Sequence, residues 1–175
     1  YGITSVERRA VQEAGLGAGS RDVNWIPQPL AAAIGVDLPI NTPTGNMIIS
    51  AGGGTSQAAV ISMSGIVSAE TTHTAGLKLD DAICAYVRRK YGLIIAQPTA
   101  EALKIRIGAA LPSDEEKTME IQGQDQVSGL PKPASLTTNE IVEALQDPLS
   151  DIANTTKRVL EKTPPELISD IIDRG

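Results

Sequence analysis

The pattern in this chain best suited to chemistry lies between Met47 and Ser62, MIISAGGGTSQAAVIS. A β-rich run enters three glycines and a threonine, a second β-rich run (Ala58 to Ser62) leaves them, and Gly65, Ile66 and Val67 start a third. Glycines lack a Cβ, so backbone N–H groups at Gly52, Gly53 and Gly54 can come close to an anion, and Thr55 adds a hydroxyl. Taken alone, the GGGT stretch reads first as a glycine-rich β-turn and second as a phosphate cradle. No helix follows the glycines at the spacing of a dinucleotide fingerprint, and no Gly-Lys-Ser/Thr follows as in a P-loop.

The elements that must position this turn follow from periodicity. Val6 to Ala14 has Val6, Ala10 and Val11 on one helical face, with Thr4 or Ser5 as N-cap and Glu7 in the first turn. Val23 to Ile26 reads as a short strand, Pro27 to Ile34 (PQPLAAAI) as a proline-opened helix, and Gly35 to Gly45 as a loop and boundary. Leu79 to Tyr91 is a strong helix with Leu79, Ile83, Tyr86 and Val87 near one face. Asp80 and Asp81 read as its acidic first turn. Thr99 is expected to cap a helix reaching Ala110. Glu115 to Gln122 alternates as a strand, and Gln126 to Ala134 forms a loop-bearing strand pair. Thr137 caps a helix over Asn139 to Leu145, Pro148 starts a long one to Lys162, and Pro164-Pro165 starts a final short one. The order is that of an α/β fold with an inserted subdomain.

Composition narrows the function. The 175 residues carry a formal charge of −6, with no Lys/Arg cluster, which argues against nucleic-acid binding. The single cysteine, Cys84, sits in an apolar run and reads as a packed, inert thiol; His73 is the only histidine, and no metal-ligand spacing occurs. No apolar run is long enough to span a membrane, and no export signal is seen, which fits the cytoplasm. With no phenylalanine and Trp25 the sole tryptophan, the core must rest on Ile, Leu, Val and Ala. The ends, Thr4-Ser5-Val6-Glu7 and Asp173-Arg174-Gly175, look like cuts at element boundaries of a longer protein.

In order, GITSVERRAV, PQPLAAAIG, GGGT, AGLKLDDAI, RRKYGLII, TAEALKIRIGAA, SGLPK and LEKTPPELISDIIDRG resemble the MreB family of bacterial actin homologues, the rod-shape cytoskeleton. The resemblance covers essentially the whole chain. It implies an actin-like (ribonuclease H-like) fold, mainly the second large domain with its small inserted subdomain. Residues 1–44 would end the first large domain, 45–98 and 149–175 would form the second, and 99–148 the small subdomain. Nucleotide, ATP with Mg²⁺ in the family, would sit in the cleft between the large domains. By resemblance, Gly53, Gly54 and Thr55 match the second phosphate turn. Glu101, Ala102, Leu103 and Lys104 match the Glu-x-x-Lys segment used at the ribose and adenine. The spacing puts Glu101 and Lys104 on one helical face; without the resemblance they read as an exposed i,i+3 salt bridge.

Three departures from the family pattern bear on hydrolysis. The aspartate that ends the strand before the glycines, which holds magnesium through water, is Ser50 here, and a hydroxyl cannot replace that charge. The Glu-Pro whose carboxylate orients the attacking water is Gln28-Pro29; a glutamine can still hydrogen-bond water but is no general base. A Gly-Gly-Asp/Glu becomes Ala75-Gly76-Leu77. Gln28 is thus the one candidate catalytic residue, for water positioning, and no metal ligand is assigned. ATP binding by this chain alone is expected to be weak or absent, and whether it is an ATPase, slow like its family, stays open. The function implied is a cytoskeletal subunit of cell-shape maintenance that self-associates into filaments and meets cell-shape and wall-synthesis membrane proteins. Its expected location is cytoplasmic, with membrane association through the full-length polymer. The alternatives are an ATP-dependent phosphotransferase of the actin and sugar-kinase superfamily, or an inactive truncated copy.

Overall fold

The computed structural model describes residues 2–112 and 114–174. The elements run α1 (Ser5–Gly17), α2 (Gln28–Gly35), β1 (Asn46–Ala51), β2 (Ser56–Ser62), β3 (Gly65–Thr72), α3 (Gly76–Tyr91), β4 (Leu93–Ile94), α4 (Gln97–Ile107), β5 (Thr118–Asp125), β6 (Pro131–Thr137), α5 (Thr138–Glu161) and α6 (Pro165–Arg174). They fall into two compact units. The first comprises residues 1–50, 56–71 and 155–175, and the second residues 51–55 and 72–154.

The first unit is built on the sheet β1-β2-β3. Its central strand β2 is buried from Ser56 to Ile61 because both of its faces are covered. Strand alternation sends Ala58 and Val60 to a cluster with Val159 and Ile171, and Ile61 to another with Ala33 and Ile40. In the alanine-rich segment of α2, Ala33 is fully buried, Leu30, Ala31 and Ala32 are half-buried, and Ile34 is exposed. Helix α6 packs so closely on the chain entering β1 that a Cβ on Gly45 would stand 2.6 Å from the Leu167 carbonyl oxygen. The Gly45 N–H donates to Asp170 Oδ2 at 2.8 Å, so Gly45 ties the entry of the sheet to the helix. Helix α1 begins as expected: Thr4 accepts from the Glu7 N–H and Glu7 accepts from the Thr4 N–H, a complete capping box. None of its residues is buried, and Val6 and Val11 face outward. Val23 to Ile26, expected to be a short strand, forms none and pairs with neither sheet.

The second unit has one core, in which Ile83 and Val87 of α3, Leu103 and Ile107 of α4, Ile121 and Leu136 of β5 and β6, and Ile141 and Leu145 of α5 meet. Its sheet is antiparallel, β4-β5-β6, with Leu93 opposite Asp125 and Thr118 opposite Thr137. Helix α4 starts at Gln97, not at a Thr99 cap, because Pro98 supplies a first-turn residue that needs no N–H. Thr137 does cap α5: its Oγ1 accepts from the Glu140 N–H at 3.5 Å, and Glu140 Oε2 accepts from the Thr137 N–H at 2.8 Å. Helix α5 then runs through Pro148, where two helices were expected. An interior proline costs about 3 kcal/mol. Ile141, Val142 and Leu145 before it and Thr155 and Val159 after it are buried, which holds the helix continuous across the break.

Helices α3 and α5 are joined by a polar network. Lys90 Nζ meets Glu140 Oε1 at 2.8 Å, Tyr91 Oη donates to the same oxygen at 2.5 Å, and Tyr86 Oη donates to Glu143 at 2.7 Å. The bond to Glu140, with burial adding to it, pushes the Tyr91 phenol up to about 12, from an ordinary 10.0. Burial opposes ionisation of Glu140, but the bonds from Lys90, Tyr91 and the Thr137 N–H outweigh it and hold the carboxyl below its ordinary 4.5. A raised folded-state phenol contributes stability that is present below pH 10.0 and is lost as pH rises through about 12. A lowered carboxyl contributes stability above 4.5 that is lost as pH falls. Denaturant midpoints measured across pH should fall on both sides of a plateau. Tyr91→Phe should flatten the alkaline limb; an alkaline limb of unchanged slope would refute the assignment.

Candidate functional site

The glycine turn sits on the N-terminus of α3. Ala75, the residue before the helix, is extended and offers no side-chain cap. The first helical N–H groups are satisfied from far along the chain instead: Gly76 donates to the Gly52 carbonyl at 3.0 Å and Leu77 to the Gly53 carbonyl at 2.9 Å. The turn is closed by the Gly52 N–H on the Thr55 carbonyl at 2.9 Å.

This arrangement fixes where the remaining donors point. The peptides are trans, and in a trans peptide the C=O and the following N–H point in opposite directions. With the Gly52 and Gly53 carbonyls directed at α3, the N–H groups of Gly53 and Gly54 are directed away from it. A Cβ added at Gly53 or Gly54 would meet no atom within 4 Å, and neither residue has a positive φ. Neither packing nor backbone conformation therefore demands glycine there. What remains is the approach of something from outside, and two adjacent backbone N–H groups directed outward suit an anion. A phosphate group fits this half of the site.

Lys104 lies on the same feature. Its Nζ donates to the Gly76 carbonyl at 3.1 Å and stands 2.7 Å from Asp80 Oδ1. A Cβ on Gly76 would lie 3.6 Å from Lys104 Nζ and 3.3 Å from the Gly52 oxygen, so the ammonium stands beside the turn. The contact with Asp80 is a charge contact without hydrogen-bond alignment, since Oδ1 finds no hydrogen-bond partner. Asp80 is 4% exposed, and α3 has no acidic residue in its first turn; the reading of Asp80 as a solvated first-turn acid does not hold. Its neighbour Asp81 is exposed and accepts from Gln97. The sequence carried a signal for Asp80: at i, i+3 and i+7 it shares a helical face with Ile83 and Val87.

Of the other residues in the Glu-x-x-Lys segment, Glu101 is exposed, Ala102 is half-buried and Leu103 is fully buried in the core. Lys104 pairs with Asp80 and not with Glu101, so the i,i+3 salt bridge is absent. In the first unit, Gln28 opens α2 and its Nε2 donates to Ser50 Oγ of β1 at 3.1 Å. The two positions where the resemblance expects carboxylates thus hold a neutral amide and hydroxyl bonded to each other. Among the described residues, no group of three or more His, Cys, Asp or Glu side chains is placed to hold a metal, and no helix is long and apolar enough to cross a membrane. The magnesium half of the expected site has no carboxylate at Ser50 to fit it.

The model of the MreB/Mbl protein family matches residues 1–175. The chain belongs to the MreB/Mbl family. It is 47% identical over 174 residues to the cell shape-determining protein MreB of Escherichia coli K12, covering 99% of this chain and 50% of the relative. It is 43% identical over 173 residues to the Mbl protein of Bacillus subtilis 168, covering 99% of this chain and 52% of that protein. The chain thus spans about half the length of the curated relatives it matches. Among solved structures, MreB 5 of Spiroplasma citri bound to AMPPNP superposes with a TM-score of 0.95 at 38% identity, over 99% of this chain and 52% of the other. A MamK double helical filament structure gives 0.76 at 18% identity, over 98% and 51%, and shows the shared fold alone. The actin-like fold of the MreB/Mbl family is the fold of this chain, and the expectation from its motifs is met.

Proposed function

We propose that this chain forms part of an actin-like cell-shape protein that binds an adenine nucleotide and assembles into filaments. Residues 1–44 close one large domain, residues 45–98 and 149–175 form the second, and residues 99–148 form its small subdomain. The observation that carries the nucleotide reading is the outward pair of N–H groups at Gly53 and Gly54, held by α3, in a family with a member solved with AMPPNP and with ADP. Thr55 adds a hydroxyl on the phosphate side, and Glu101 with Ala102 and Lys104 lies on the nucleoside side. Gln28 holds the attacking water. Cell-shape and wall-synthesis membrane proteins are the partners, and the location is cytoplasmic.

Because a Cβ fits at both glycines, Gly53→Ala with Gly54→Ala should leave the melting temperature nearly unchanged, a surface effect within about 0.5 kcal/mol. The same pair should weaken ADP binding by tenfold or more in a full-length protein carrying this chain. Unchanged affinity would remove the phosphate-turn reading. The 175-residue chain by itself holds only part of the contacts, so calorimetry should find weak or no ATP binding, and micromolar affinity would contradict this. It should also self-associate without nucleotide, since Val6 and Val11 of the unburied α1, Val127 and Leu130 all stand exposed. Sedimentation across a concentration series tests this; a strict monomer, or assembly only with ATP and Mg²⁺, counts against it.

A further inference from the structure

We propose that Ser50 is a positioning residue that orients the Gln28 amide, so that Gln28 presents its oxygen, and not its nitrogen, to the water it holds. The proposal rests on the reading of Gln28 as the water-positioning side chain. Gln28 is exposed at the first residue of α2, where nothing in helix geometry fixes a long side chain. The one side-chain bond it makes among the described residues is the 3.1 Å donation from Nε2 to Ser50 Oγ. Nε2 and Oε1 diverge in one plane from the same carbon, so anchoring Nε2 on Ser50 leaves Oε1 turned away from that hydroxyl. That oxygen can only accept, and an acceptor is what a water needs if it is to turn a lone pair toward an electrophile. Ser50 is suited to the role because β1 is a strand of the sheet and holds the hydroxyl on a rigid element. In this chain the residue at the metal-side position therefore acts through Gln28 and not through a cation.

Two measurements test this. In the 175-residue chain labelled with ¹⁵N, the Gln28 side-chain amide signals should move to the free-glutamine position on Ser50→Ala and stay in place on Ser50→Thr, which keeps the hydroxyl. In a full-length protein carrying this chain, Ser50→Ala should lower kcat on the order of tenfold with KM within about twofold, the pattern of a lost transition-state contact. Ser50→Ala added to Gln28→Ala should cost nothing further, because the two act as one unit. Amide signals indifferent to Ser50→Ala, additive losses, or a risen KM at constant kcat would each overturn the proposal. An unchanged kcat in Gln28→Ala would instead remove the reading of Gln28 beneath it, a failure recognisable because the Gln28 amide signals of the parent chain and its Ser50 variants would still report the bond.

Discussion

Converting Gln28 to Glu and Ser50 to Asp together should raise nucleotide hydrolysis by about 10²-fold in a full-length protein carrying this chain. The expectation comes from charge. Both positions now hold neutral groups, joined by a 3.1 Å hydrogen bond from Gln28 Nε2 to Ser50 Oγ. A hydroxyl gives a hard divalent cation little to hold, and an amide cannot take a proton from water. Two carboxylates in the same places would repel at this range unless a cation lay between them. The gain should therefore appear only with Mg²⁺ and vanish when it is chelated. Ser50→Asp alone keeps an acceptor for the Gln28 amide and should give part of the gain, whereas Gln28→Glu alone gives a carboxylate whose cation partner is missing. Phosphate release measured against Mg²⁺ concentration decides the matter. A double variant no faster than its parent would show that turnover is limited elsewhere.

The parts of the fold that were legible in the sequence are those whose causes are local. Thr4 and Glu7 form a capping box within one turn, and Gly92 ends α3 in the left-handed conformation that favours glycine, so both boundaries could be placed from neighbours alone. The start of α3 was placed three residues late because its cap is not local: the carbonyls of Gly52 and Gly53 do what a Ser or Asp would do. Pro148 carries a local signal to stop, and tertiary burial on either side overrides it. At the site, the glycine turn and the Glu-x-x-Lys spacing were readable as motifs. Their connection was not, since it runs through the backbone of Gly76, which has no side-chain pattern, and through Asp80, whose one signal was the helical face it shares with Ile83 and Val87. Leu103 shows the reverse case, a motif position whose side chain belongs to the core.

Leaving Asp80 without its partner should strongly destabilise the second unit, and Lys104→Met should expose this. The Asp80 side chain is 5% exposed and Lys104 21%, and the approach is 2.7 Å. Removing the ammonium leaves a carboxylate desolvated with no opposite charge and no hydrogen bond to its Oδ1, a situation that typically costs 3–5 kcal/mol, or about 8–15 °C of melting temperature at this chain length. The intact pair is worth much less than that, because its own desolvation offsets most of its attraction. The two statements separate experimentally. Lys104→Met with Asp80→Leu, which removes both charges and fills the space with apolar atoms, should recover most of the loss, so that the double variant is more stable than the single one. Were Asp80 hydrated and the contact incidental, Lys104→Met would shift the melting temperature by no more than a degree or two, and the second substitution would deepen the loss. Beyond stability, the double variant keeps the Gly76 and Leu77 bonds to the turn, which are made by backbone alone. It should therefore retain the geometry of the Gly53 and Gly54 donors while losing the charge beside them, and its nucleotide affinity relative to the parent measures what Lys104 adds.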